Sequence, residues 1–357
     1  MARLLIPLLM LVVAIALPAR AEDVPLDIAL AHAQPQDAAT DPAAAIASEF
    51  RHRLGELSGG ALRVGIFPDG QLGGNRDMAK LVMQGVISSA LVTVGGIAPF
   101  YPLITVTGMP FALDNPEAAY ALYDGPFGRA LAADMERRTG VVVLGFGDAG
   151  GFHVITNSRH PIHSPADMAG LKIRTIPGYD ALDAMIRGLG AIPVKVSSRE
   201  EFQSLETHII DGQTNPPSVV LGRHYYHVQT YATLTGHLYA PYVWIFNRDA
   251  FNRLSAAEQD QVREAARLAI TAGRALSGRL DHSELGAAGL GKRMDVYAPS
   301  PAERAAFKAA TQPKVAAALA KTLGEDGIHL LTEFTEAARQ ANGAARSGVT
   351  PLPRSIR

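Results

Sequence analysis

Apolar and polar residues change period repeatedly along this chain, and each change marks a boundary between a strand and a helix. Val24 to Leu30 alternates weakly and predicts a first strand. From Asp41-Pro42 onward, Ile46, Phe50, Leu54 and Leu57 recur at helical spacing until Gly59-Gly60 stops the run; Leu62, Val64 and Ile66 then alternate with Arg63 and Gly65 as a second strand. The turn-rich loop from Pro68 to Gly74 leads into a helix capped by Asn75 and running to Gln84. A third strand, Ala90 to Val94, stops at Gly95-Gly96, and Asn115-Pro116-Glu117 opens another helix. Val141 to Leu144 is continuously apolar, as in a strand covered on both faces.

After Gly151 the alternation restarts. Phe152 to Thr156, Leu171 to Ile176 and Ile192 to Val196 predict strands, separated by a short helix at Pro165 and one from Tyr179 to Leu189. Ser198-Arg199-Glu200-Glu201 reads as a capping box opening a helix through Leu205, with both glutamates explained as first-turn charges. Ile209 to Gln213 predicts a short strand, Asn215-Pro216 a helix start, and Val243 to Asn247 another strand. Ser255-Ala256-Ala257-Glu258 caps a helix lasting at least to Ser277, about 35 Å or more, long enough to lie across two lobes. Pro301 to Ala341 is Ala-rich and helical. The alternation of strands and helices predicts an α/β fold, and 357 residues suggest two domains.

One strand stands out chemically. Ser164-Pro165-Ala166-Asp167 is a compact helix start that Gly170 terminates, and in the strand after it Leu171, Ile173 and Thr175 face one way while Lys172, Arg174 and Ile176 face the other. Arg174 therefore either reaches solvent or points into a cleft.

Composition narrows the setting. Arg3, the apolar run Leu4 to Leu17 and Ala19-Arg20-Ala21 have the layout of a secretory signal peptide, predicting cleavage after Ala21 and an exported protein. There is no cysteine, so neither a disulfide nor thiolate chemistry is available. The formal net charge of −1 provides no basic field for nucleic acid.

Catalytic motifs are missing: the chain has no Gly-x-Ser-x-Gly elbow, no His-Glu-x-x-His and no phosphate-loop lysine pattern. Gly145 to Gly150 matches the dinucleotide fingerprint in letters, but strand-like Phe152 to Thr156 follows where a helix must hold the pyrophosphate, so a flexible crossing between two lobes is the better reading. His224 and His227 lack a third ligand for a metal. No cofactor is implied. Ligand capture is favoured over turnover.

Several stretches together resemble the DctP-type substrate-binding proteins of tripartite ATP-independent periplasmic (TRAP) transporters. They are Phe67 to Gly73, Gly151 to Asn157, Pro161 to Arg174, Leu189 to Pro193, Ile210 to Pro216, and His237 with Leu254 to Gln259. The resemblance implies a periplasmic-binding-protein-like (type II) fold: two α/β lobes, crossing hinge strands and a long bridging helix. It divides the chain into a signal peptide at 1–21, lobe I at 22–150 plus about 238–280, lobe II at 151–237 plus about 281–345, and a mobile tail at 346–357. It also implies that Arg174 grips the carboxylate of an organic acid, that Asn215 lines the same pocket, and that a monomeric, non-enzymatic protein delivers its solute to small and large membrane permease subunits. A planar guanidinium suits such an anion because it can donate two parallel hydrogen bonds.

Departures from the family pattern refine this. His153 stands where many members place a second arginine, Thr93 and Gly96 stand where acid-sugar binders carry Glu and Arg, and Ser204 and His208 replace Ala and Gly. A multiply charged ligand is thereby disfavoured, and a small monocarboxylate expected, with Phe152, Tyr179, Tyr242 and Trp244 as candidate apolar or aromatic walls. Two other outputs stay open on this scaffold: a sensor presenting its closed form to a signalling kinase, and an enzyme using His153 as acid or base.

Overall fold

The computed structural model of the chain describes residues 26–346. The leader expected at 1–21, and all but the first residue of the tail expected at 346–357, lie outside the described residues. The first sheet takes β1 (Leu26–Ala31), β2 (Leu62–Phe67), β3 (Ser89–Thr93), β4 (Val141–Gly147) and, much later in the chain, β10 (Tyr242–Asn247), in the order β2-β1-β3-β10-β4. The second takes β5 (Val154–Asn157), β6 (Lys172–Thr175), β7 (Ile192–Lys195), β8 (Gly212–Asn215), β9 (Tyr231–Thr233) and β11 (Asp295–Tyr297), in the order β11-β9-β5-β8-β6-β7. β1 runs parallel to β2 and β3, while β10 is antiparallel to both its neighbours. This is the two-lobed, type II-like α/β arrangement.

The chain thus leaves the first sheet after β4 and returns to it at β10. The outgoing and returning segments run side by side: Phe152 bridges Tyr239 in antiparallel fashion and the His153 N–H donates to the Leu238 carbonyl at 2.9 Å. This crossing is not the flexible one the glycines suggest. Asp148 is fully buried, and its carboxylate accepts from the N–H groups of Gly150 and Gly151 and from the hydroxyls of Tyr120 and Tyr239, at 2.7 to 3.2 Å. Four donors on one buried carboxylate fix the turn, since breaking any of them strands a charge away from water. At Gly147 the strand packs closely on the helix Pro42–Leu57, where a Cβ would come 2.8 Å from the tip of the Ile46 side chain.

The helix Ala256–Asp281 begins with the expected capping box, in which Glu258 accepts from the backbone and hydroxyl of Ser255 at 2.7 Å. It packs mainly on Pro42–Leu57 and β4, and meets the second lobe at the helix Pro217–Gly222. Most of the bridging falls instead to Pro301–Arg346, which lies against Asp180–Gly188 of the second lobe and against Pro102–Gly108 and Pro116–Asp124 of the first. That element is two helices, because Gly324 at φ 65 interrupts it. β9 and β11, of three residues each, were too short for a period to reveal. β8 starts at Gly212, later than expected, because Asp211 serves as a clasp for β6: its N–H donates to the Lys172 carbonyl at 2.7 Å and its side chain accepts from the Lys172 N–H at 2.8 Å.

Candidate functional site: a polar cleft between the lobes

The ends of β3, β6, β8 and β10 converge on a cleft of about 350 Å³ between the two sheets, within the usual range for small-molecule pockets. The alternation read from the sequence puts Lys172 in solvent at the start of β6, whereas Arg174, two residues on, is 4% exposed and lines the cleft. Its Nε donates to the Val196 carbonyl at 3.0 Å, which fixes the plane of the guanidinium. Its Nη1 lies 3.6 Å from Oε2 of Glu201.

Glu201 is the residue that sequence reasoning missed. The capping box expected of Ser198 and Glu201 does not form: Glu200 occupies the N-cap position without a side-chain capping bond, and its carboxylate accepts from the Ser197 hydroxyl at 2.6 Å. The first turn of the helix Glu201–Glu206 instead turns Glu201 inward, where it is 2% exposed and accepts from Asn215 Nδ2 at 2.9 Å. The available signal was the doubled glutamate itself, since one helix start needs only one capping carboxylate. Arg223 was also missed. Its guanidinium donates to the Ser198 carbonyl at 3.1 Å and, across to the first lobe, to Gln34 Oε1.

The other candidates divide. Asn215, His153, Thr93, Tyr179 and Tyr242 all line the cleft. The His153 Nδ1 lies 3.3 Å from Thr214 Oγ1, and its ring lies edge-on to His237 at 6.0 Å. Burial, reinforced by the nearby Arg174 charge, pushes His153 down to about 3, so it is a neutral imidazole at physiological pH. Tyr179 is 2% exposed, with its hydroxyl lodged against Gly108, where no Cβ would fit. The Tyr242 hydroxyl accepts from Gln34 Nε2 at 3.0 Å. Thr93 is held by its backbone, which donates to Asn75 Oδ1 at 3.2 Å. Asn75 is therefore not the helix cap it resembles in sequence; Gly74 occupies that position, with Asp77 accepting from its N–H at 2.9 Å.

Phe152 and Trp244 are not brought to the cleft. Phe152 is half-buried against Tyr239, with ring centroids 5.6 Å apart. Trp244 shares a strand face with Tyr242 but sits two residues deeper; it is fully buried, edge-on to Phe50 at 4.8 Å, with Nε1 donating to Ser89 Oγ at 2.8 Å. An aromatic residue on a central strand goes to the core unless it stands at the strand end, and only Tyr242 does.

Among the described residues no group of three or more His, Asp or Glu is placed to hold a metal ion, and His224 Nδ1 lies 2.9 Å from the Tyr226 hydroxyl. No helix of the described residues is long and apolar enough to cross a membrane.

Two lobes meeting over a buried guanidinium form a cleft suited to a small anionic solute. The chain belongs to the DctP family, bacterial extracellular solute-binding protein family 7, whose model matches residues 33–322. Among relatives, the 2,3-diketo-L-gulonate-binding periplasmic protein of Escherichia coli is 32% identical over 64% of this chain and 68% of its own. A solute-binding protein of Verminephrobacter eiseniae is 31% identical over 61% of this chain, and the match spans 64% of that relative, just under two thirds of its length. Among solved structures, the sugar acid binding protein of Advenella mimigardefordensis in complex with galactonate superposes with a TM-score of 0.81 at 29% identity, covering 89% of this chain and 99% of that one. A TRAP periplasmic solute-binding protein of Shewanella oneidensis with bound succinate gives 0.80 at 26% identity, covering 89% and 100%.

Proposed function

We propose that this protein captures a small organic acid in the periplasm by closing its two lobes over it, with Arg174 holding the carboxylate, and presents the closed form to the membrane permease subunits of a TRAP transporter. The observation that carries this reading is the guanidinium of Arg174, 4% exposed yet facing an interlobe cleft. A cation held out of water in this way is stabilised by an arriving anion. Asn215, His153, Thr93 and Tyr179 complete the pocket as polar and aromatic neighbours. The bound galactonate and succinate of the structural neighbours, and the diketogulonate of the E. coli relative's name, support an acid as the solute class. The division into lobes at 22–150 plus about 238–280 and at 151–237 plus about 281–345 accords with strand membership of the two sheets.

The test is titration calorimetry of the mature protein against a panel of organic acids. Arg174→Ala should weaken binding of the acid that binds best by about 2 to 5 kcal/mol, the range for truncating one partner of a buried charge pair. Unchanged affinity in that variant would remove Arg174 as the anchor.

A further inference from the structure

Resting on the solute-capture reading above, we infer that Glu201 makes this cleft selective for a singly charged acid bearing a hydroxyl beside its carboxylate, and that it excludes dicarboxylates. The starting point is a carboxylate buried in a site for carboxylates. Glu201 is 2% exposed, so its charge has no water to fall back on. One oxygen, Oε1, accepts from Asn215 Nδ2 at 2.9 Å. The other, Oε2, has Arg174 Nη1 at 3.6 Å, an ion-pair distance beyond hydrogen-bond reach. The buried Tyr225 hydroxyl stands beside Glu201 and Arg223, within reach of both, and a carboxylate that also accepts from Asn215 still has capacity for a further donor. The deep end of the site therefore offers a strong acceptor that a ligand hydroxyl can complete, beside a cation that a ligand carboxylate can complete.

Charge balance points the same way. Glu201 lies between Arg174, its ion-pair partner, and Arg223, whose guanidinium it also influences through space. His153, the neighbour on the other side of Arg174, is neutral. Of the buried or half-buried groups that line the cleft, the two arginines and one glutamate carry a net single positive charge, which one carboxylate neutralises; Asp41, which acts on Arg223 through space, does not line the cleft and is engaged in capping the helix Pro42–Leu57. The second carboxylate of a diacid would leave an excess anion facing Glu201 in a site with little water, and such like-charge contacts are costly. Arg76, Asp77 and Arg199 at the cleft rim are exposed, where solvent screens them, and do not alter that balance. Specificity of this kind rests on a repulsive element as well as an attractive one, and Glu201 supplies both.

The experiment is calorimetry on the mature wild-type protein and on Glu201→Gln, with lactate, glycerate and gluconate as hydroxylated monoacids, propionate as the hydroxyl-free control and succinate as the diacid. The expected wild-type result is at least tenfold tighter binding of the best hydroxy acid than of propionate or succinate. In Glu201→Gln, which keeps the side-chain shape but removes the charge, the hydroxyl preference should fall below threefold and succinate should gain at least tenfold relative to the hydroxy acid. A wild-type protein that prefers succinate or propionate overturns the inference, as does a folded Glu201→Gln protein with unchanged ratios; both outcomes leave acid capture by Arg174 standing. If Glu201→Gln does not fold, the wild-type ratios decide alone. Silence of the wild type toward every acid overturns the capture reading, and this inference with it.

Discussion

Across the cleft, the wall built on the second sheet holds Arg174, Glu201 and Arg223 inside, whereas the wall facing it presents Gln34, Thr93, Gly95 and Gly96 within the cleft and keeps its charged Arg76 and Asp77 at the exposed rim. The charged wall is pre-assembled by contacts within its own lobe: Arg174 on Val196, Glu201 on Asn215, Arg223 on Ser198. The neutral wall is shaped by close approach. A Cβ at Gly95 would come 2.6 Å from Ile176 Cγ2 of the other lobe, and one at Gly96 would come 2.5 Å from Asn75 Cβ. One lobe thus buries the charges of the cleft, and the other meets it by close packing. Arg199 and Arg223 join the two by donating to Gly70 and Gln34 of the first lobe.

Trp244 gives the largest expected effect on this contrast, because it belongs to neither wall. Trp244→Ala should cost about 3 to 5 kcal/mol of stability, the usual toll for a large buried aromatic side chain. Acid affinity measured on the folded fraction should be unchanged; a parallel loss of affinity would return Trp244 to the cleft.

Acid should act on the charged wall. An unfolded imidazole titrates near 6.5, while His153 in the folded protein is pushed down to about 3, so between those values only the unfolded chain binds the proton. Stability is complete above pH 6.5 and falls as the pH drops toward 3, by about 1.4 kcal/mol per pH unit from this one group. Unfolding free energies from urea titrations at pH 7 and pH 5 should therefore differ by about 2 kcal/mol less in His153→Gln than in the wild type. Equal pH dependence in the two would show that His153 is solvated.

Gly95→Leu tests the neutral wall. It should weaken acid binding at least tenfold, about 1.4 kcal/mol, with little change in melting temperature, because the added side chain blocks closure and leaves each lobe intact. Adding Ile176→Ala should restore part of that loss. The smallest effect belongs to Arg199→Ala, which removes one cross-cleft hydrogen bond from an exposed arginine and should reduce affinity by about 1 kcal/mol or less. Small-angle scattering of the ligand-free variant should show a more open particle than the wild type.

Much of this molecule was legible in local pattern. The two helices Pro42–Leu57 and Ala256–Asp281 and strand β2 came from periodicity and caps, because each buries one face of a regular element and its sequence must alternate accordingly, whereas β3 and β4 came from continuous apolar runs because both of their faces are covered. The position of Arg174 on its strand came from the same alternation. Three-residue strands carry no period, and a glycine-rich crossing looks loose in sequence even when four donors converge on an aspartate between its glycines.

What the sequence by itself determined is the α/β alternation and the strand position of Arg174, since strand and helix periods and capping motifs are local properties of the chain, and, through the resemblance of its motifs, the family. Only the tertiary structure decided what surrounds that arginine. Glu201 reads as a helix-start charge until it is seen buried beside Asn215 and Arg174, Trp244 reads as a pocket wall until Phe50 and Ser89 are seen around it, and Arg223 reads as nothing until it meets Gln34 across the cleft. The reason is physical: whether a charge is buried, paired or left facing a ligand depends on which distant segments exclude water from it, and that is set by packing between elements far apart in sequence.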